Sequence, residues 1–299
     1  MNESILGNLR DALLTRGPLD ALPEPVWKRV GALNTWGTNA IEGNTLTWRD
    51  VERLLLMNQS VPDRPMRDVL ETWQHEAAFR DLLRRRAEPI TPVTVVELHE
   101  AVFRGVKPDA GQWRRVNVRI TGSRHTPPRM EKVVPLMDAW ERAYARRDTE
   151  GEGVFPLGAW MHREFESIHP FSDGNGRVGR LLLNLHFLKH SWPPVHVLPP
   201  DRDRYIRCLD AAHAEGLARL EEFLREANAR SVLDLLDQVG TAEDELRPLK
   251  AFEARGPYSA KYLALRASQG VLPALKVSGD WRTSRRALRV YREAIGRTE

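Results

Sequence analysis

The chain has 299 residues, 41% of them hydrophobic and 29% charged, with a net charge of +4 and a mean hydropathy of −0.47. That balance supplies one sizeable core and a smaller second domain, and it excludes a disordered chain and a membrane-embedded one. The charge is uneven, because residues 256–299 hold nine Lys/Arg against three Asp/Glu.

In chain order, Met1-Asn2-Glu3-Ser4 lacks the basic and apolar runs of a secretory signal. Cys208 is the only cysteine, so neither an internal disulfide nor a Cys-based zinc cluster is available, and both facts predict a cytoplasmic protein. Pro23-Glu24-Pro25 opens a helix that is apolar at Val26, Val30 and Leu33. Thr47-Trp48-Arg49-Asp50 fits a capping box launching the helix with Val51, Leu54 and Leu55. Apolar residues at three- and four-residue spacing predict further helices over 65–86, 92–104, 130–147, 156–168, 174–190 and 202–238. The longest apolar stretch, Leu181 to Leu188, is broken by Asn184 and His186 and is too short to cross a bilayer, so no membrane contact is expected. Val116-Asn117-Val118-Arg119-Ile120 alternates apolar and polar and meets Thr121-Gly122-Ser123, which predicts a strand entering a hairpin turn, with Pro127-Pro128 ending it. The fold class is therefore mainly α. Four regions are expected: 1–85, a core over 86–230, a linker helix over 231–255, and a basic module over 256–299 beginning near Gly256-Pro257.

The densest chemical signal is His169-Pro170-Phe171-Ser172-Asp173-Gly174-Asn175-Gly176-Arg177-Val178-Gly179-Arg180. A helix ends at Ile168, a short loop carries an imidazole and a carboxylate, and a glycine-rich turn starts the next helix. Helix N-termini offer unpaired N–H groups and a positive dipole end, so Gly174 and Gly176 let the backbone close on phosphate oxygens. Arg177 and Arg180 share a helical face and can add charge-assisted bonds. Asp173 can hold Mg²⁺ together with phosphate oxygens, and His169 suits general-base work near neutral pH. Taken singly, Gly174-Asn175-Gly176 is an ordinary turn, a His before Pro is structural, and two arginines on a helix are a solvated face. No Walker loop is present, an EF-hand starting at Asp173 fails at Val178 and Asn184, and His162 with His169 lacks the HExxH pattern of a zinc site.

This string matches the signature H-P-F-x-D-G-N-G-R-x-G-R at every defined position, and on it the chain resembles the Fic family over roughly residues 30–225. The resemblance implies a helical bundle with a β-hairpin flap and an adenylyltransferase moving AMP from ATP, with Mg²⁺, to Ser, Thr or Tyr hydroxyls of target proteins or of the chain itself. By that resemblance His169 is the base, Asp173 the metal ligand, and Gly174, Asn175, Gly176, Arg177 and Arg180 the nucleotide cradle. Phe171 is a buried anchor, and Tyr205 and His213 line the adenine pocket, His213 standing where the family has Asn. Val118, Arg119, Ile120, Thr121 and Gly122 form the flap that docks the target as an added strand. Thr38-Asn39-Ala40-Ile41-Glu42-Gly43 fits the inhibitory pattern [S/T]-x-x-x-E-[G/N] of regulated family members. Glu42 would then pair with Arg180 and take it from the γ-phosphate. The plain alternative is a helix end with Gly43 as its cap.

The tail is similar to the winged-helix module of the excisionase and MerR type, with helix, Val271-Leu272-Pro273-Ala274-Leu275-Lys276-Val277, Trp281 and a second helix from Arg285 to Ile295. Arg282, Arg285, Arg286, Arg289 and Arg292 make DNA contact one reading and a docking or homodimer module the other. Other functions compatible with the same residues are a nucleotide-sensing transcription regulator, an antitoxin-like binding protein and a de-AMPylase.

Overall fold

The computed structural model describes residues 1–120, 123, 125–255 and 258–296, with 254 and 255 in their backbone alone. Helices dominate: α1 (Glu3–Leu14), α2 (Glu24–Ile41), α3 (Trp48–Val51), α4 (Met66–Arg85), α5 (Pro92–Phe103), α6 (Val133–Thr149), α7 (Val154–Ile168), α8 (Asn175–Lys189), α9 (Arg202–Ala214), α10 (Ala218–Val239), α11 (Ala260–Ser268) and α12 (Arg285–Ala294). Among the described residues no helix is long and apolar enough to cross a membrane.

Contacts gather the chain into two compact units, Trp27–His190 with Pro194–Phe223, and Met1–Val26 with Ser191–Pro193 and Leu224–Glu299. The first is built around α8. Its leucines 181, 182, 183, 185 and 188 are all buried, and a helix apolar on every side must be enclosed. α7, α4 and α5 supply the enclosure. Each leucine so buried contributes about 1.5–3 kcal/mol. Thr47 and Asp50 exchange both capping-box bonds at the start of α3, which widens into a single π-helical stretch at Glu52–Leu56.

In the second unit α1 lies against α12, and β1 (Arg247–Pro248), β2 (Leu275–Val277) and β3 (Asp280–Thr283) form an antiparallel sheet in the order β1–β3–β2. This division differs from the linear partition at 85, 230 and 255. The amphipathic α1, with Ile5, Leu6, Leu9 and Leu13 buried, packs against α12, and β1 pairs with β3 of the tail from before residue 256. The expected boundary at Gly256-Pro257 lies outside the described residues.

Three further expectations change. The helix predicted over 202–238 is two, because Gly216 at φ +95° ends the first. Residues 116–120 form no strand. Arg114 donates instead to the carbonyls of His169, Val116 and Pro128, and Asn117 accepts the Met130 N–H, so side chains pin this segment as a loop without a ladder. Of the five tail arginines singled out, Arg286 and Arg289 are paired with carboxylates. Arg286 is bonded to the buried Asp244 at 2.5 Å, and Arg289 lies 3.3 Å from Glu243 and 3.7 Å from Glu293.

Candidate active site

α7 ends at Ile168 because His169 turns left-handed, with φ 50° and ψ 62°, while its N–H still donates to the Phe165 carbonyl. The loop that follows is clamped from several sides. Asn175 accepts the Phe171 N–H at 2.9 Å and returns its own amide to the Phe171 carbonyl at 3.0 Å. Both ends of that buried side chain are used within the loop, so Asn175 shapes the cradle rather than touching a nucleotide through its amide. His99 stacks on Phe171 with centroids 3.8 Å apart and planes 6° from parallel. Its Nδ1 accepts the Gly111 N–H at 2.9 Å, which leaves the proton on Nε2, 3.1 Å from the Asp173 carbonyl. Burial lowers the His99 pKa to about 4, so this neutral tautomer persists at physiological pH.

Burial likewise lowers His169 to about 4, with the Glu166 main chain pulling the other way and Arg114 adding to the depression. The imidazole is neutral at pH 7 and ready to accept a proton. Opposite it stands the start of α8. Gly174 caps that helix at φ +87°, and a Cβ there would lie 2.3 Å from the Phe103 ring, so only glycine fits. The Asp173 carboxylate accepts the Gly174 N–H at 2.6 Å and pairs with Lys107. Burial opposes its ionisation, but Lys107, Arg177 and the Gly174 amide together hold its pKa below the ordinary aspartate value.

Among the described residues no group of three or more His, Cys, Asp or Glu forms a metal cage. Asp173, with half of its side chain exposed, fits Mg²⁺ in the one way such a site can, as a lone protein carboxylate completed by substrate phosphates.

The two arginines are held differently. Arg177 is 4% exposed, donates to the buried Glu71 of α4 at 2.6 Å and lies over the Phe103 ring at 4.5 Å. Its guanidinium is committed to the core rather than presented to phosphate. Arg180 donates to Glu42 Oε1 at 2.6 Å and through Nε to Thr38 Oγ1 at 2.6 Å. Glu42 sits just past the end of α2 and is 28% exposed at its side chain. A Cβ on Gly176 would fall 2.4 Å from Glu42 Oε1, so this carboxylate lies against the first turn of α8.

Glu42, His169, Gly176, Arg180, Tyr205 and His213 line one cavity, together with Ile120, Ser123, Glu166 and Asp210. Tyr205 is buried with its hydroxyl 2.6 Å from His162 Nε2, so it walls the cavity from beneath. His213 stacks on His125, centroids 4.4 Å apart, with its Nδ1 3.1 Å from the Ser167 hydroxyl. Of the expected flap, Ile120 reaches this cavity, Val118 is half-buried and Arg119 is exposed, while Thr121 and Gly122 lie outside the described residues. Sequence reasoning missed Lys107, His99, Glu71 and Glu166. Each comes from outside the motif or from the helix before it, with no local pattern to mark it.

Residues 89–187 match the model of the Fic/DOC family. The protein adenylyltransferase Fic of Nematostella vectensis is 29% identical over 199 residues, 65% of this chain and 46% of that protein. The chain spans about half the length of the curated relatives it matches. A Fic-domain-containing signalling protein from Bacteroides thetaiotaomicron superposes with a TM-score of 0.70 at 23% identity, covering 78% of this chain and 97% of its own. A Fic family protein from Desulfovibrio desulfuricans G20 has a TM-score of 0.64 at 22% identity and covers 95% of this chain and 96% of its own. These likenesses establish a shared fold.

Proposed function

We propose, from the match of residues 89–187 to the model of the Fic/DOC family, that the protein is an adenylyltransferase that moves AMP from ATP to hydroxyls of target proteins and is restrained by Glu42. The observation carrying this reading is the left-handed His169, neutral and facing the glycine-rich N-terminus of α8 across one short loop. The backbone N–H groups of Asn175 and Gly176, on a turn that Gly174 shapes, bind the phosphates at the positive end of the helix dipole. His169 takes the proton of the target Ser, Thr or Tyr as its oxygen attacks the α-phosphorus, and pyrophosphate leaves. Positioning and charge neutralisation supply most of the acceleration, as in phosphoryl transfer generally. Asp173 would hold a magnesium ion, which would supply positive charge beside the phosphates.

The Glu42–Arg180 pair is the brake in this reading. Arg180 cannot serve a γ-phosphate while its guanidinium is bonded to Glu42 and Thr38. A hundredfold repression needs only about 2.7 kcal/mol of preference for the paired state, within reach of a charge-assisted arginine–carboxylate contact.

The test uses radiolabelled ATP. Glu42→Gly is expected to raise AMP incorporation, including onto the protein itself, by about a hundredfold, and His169→Ala in that background to abolish it while ATP affinity stays unchanged. Equal labelling of wild type and Glu42→Gly refutes the brake. Absence of AMP transfer from both, with any target-containing lysate, refutes the activity.

A further inference from the structure

Outside the motif, one buried ionisable group faces the reacting imidazole. Glu166 lies one turn before His169 on α7, is 9% exposed, and has Oε1 buried without a hydrogen bond. Nδ1 of His169 is also buried without a hydrogen bond of good geometry, the Glu166 main-chain carbonyl exerting only an electrostatic pull on the ring, and Glu166 Oε2 is 3.9 Å from Nδ1. Leaving such groups unpaired costs about 1–3 kcal/mol each, so their juxtaposition asks for a function. A side-chain rotation of about 1 Å closes the contact, and catalytic hydrogen bonds are often long before substrate binds.

We propose that Glu166 is the positioning residue of His169: its carboxylate receives Nδ1–H, fixing the tautomer that leaves Nε2 as the base, and stabilises the imidazolium formed during transfer. The inference deepens the adenylyltransferase reading and rests on it. The target O–H bond breaks and its proton goes to His169 Nε2. The oxygen–α-phosphorus bond forms, and the bond from that phosphorus to the bridging oxygen breaks as pyrophosphate departs with its electron pair. The new positive charge on the imidazole then faces Glu166, as the aspartate faces histidine in serine-hydrolase triads.

The surroundings support an ionisation that matters near neutrality. Arg180 on α8, Glu42 beyond α2, Tyr205 on α9 and His162 on the same helix are the titratable and charged groups around Glu166. Burial raises the Glu166 pKa to about 7, Glu42 adding to the rise and Arg180 opposing it. With His169 itself near 4, activity between pH 6 and 8 is expected to rise as the Glu166 carboxylate forms.

The experiment follows the ¹³C-labelled His169 ring by NMR from pH 5 to 9 in the nucleotide-free wild-type protein, where Glu42 still pairs with Arg180, with the resonance assigned by its loss in His169→Ala. The ring shift is expected to inflect near neutrality and to lose that inflection in Glu166→Gln. Should the glutamine variant fail to fold, Glu166→Asp keeps a carboxylate and is expected to retain a weaker inflection. In the transfer assay Glu166→Gln is expected to lower kcat about a hundredfold, with KM for ATP unchanged and a flat pH profile. A ring titration identical in the parent and Glu166→Gln, or no inflection in Glu166→Asp, overturns the proposal. If no variant transfers AMP, the adenylyltransferase reading fails, while the ring titration still decides whether Glu166 governs His169.

Discussion

Arg177 and Arg180 stand three residues apart on α8, yet their partners give them opposite roles. Arg177 meets Glu71 in the core, where both side chains are about 5% exposed, whereas Arg180 meets a carboxylate at the edge of a cavity. Removing one member of a buried pair leaves the other charged and unsolvated, so Glu71→Ala is expected to cost about 3–5 kcal/mol of stability, read by urea denaturation. Replacing both, Glu71→Leu with Arg177→Met, is expected to recover most of that loss and to retain ATP binding by calorimetry. Were Arg177 a phosphate ligand, the double variant would bind ATP much more weakly. The motif told of both arginines as phosphate ligands because sequence spacing reports a shared face and not what the face meets. His169, Asp173 and the glycines were legible at this scale because the chemistry is contiguous. Lys107 and His99 were not, because only folding brings α5 and the residues after it beside that loop.

At the scale of elements, the end of α2 does two things. Its last turn supplies Thr38, whose hydroxyl accepts from Arg180 Nε at 2.6 Å, and just beyond it Glu42 takes the other side of the guanidinium. Thr38→Val keeps the shape and removes one charge-assisted acceptor, each worth about 1.5–3 kcal/mol. Self-labelling is therefore expected to rise about tenfold over wild type and to stay below that of Glu42→Gly. No increase would mean that Glu42 alone sets the pair. Helix starts were legible at Thr47 and at Thr91 before Pro92, where a capping residue precedes a recognisable apolar pattern, whereas α1 behind its Asn2 cap went unread. The segment 116–120 misled because alternation predicts a strand only when a partner completes the ladder, and here the hydrogen bonds go to Arg114 and Asn117 instead. The two-residue β1 was invisible for the opposite reason, since its pairing with β3 owes nothing to its own pattern.

For the whole molecule, burial of imidazoles sets the response to acid. His75, His162 and His186 are lowered by desolvation to about 3, and His99 and His169 to about 4, all from an ordinary value of 6.5. Between about pH 6.5 and 4 the unfolded chain binds protons at these five positions and the native chain does not, so stability falls as pH falls through that window. Glu166 acts in the opposite sense. With its pKa raised from 4.5 to about 7, the native state holds one more proton than the unfolded state between those values, which offsets one histidine. Each net proton costs about 1.4 kcal/mol per pH unit, against a total stability of about 5–15 kcal/mol for an ordinary domain. The protein is therefore expected to lose urea resistance steeply below pH 6 and to unfold before pH 4, with the steepness reporting several protons taken up together. Replacing His75, whose Nδ1 lies 2.9 Å from the Thr35 hydroxyl while its Nε2 has no hydrogen bond, by Gln removes one of them. His75→Gln is thus expected to show a shallower acid limb, and an unchanged slope in circular dichroism melts across pH 4–7 would place the acid sensitivity elsewhere.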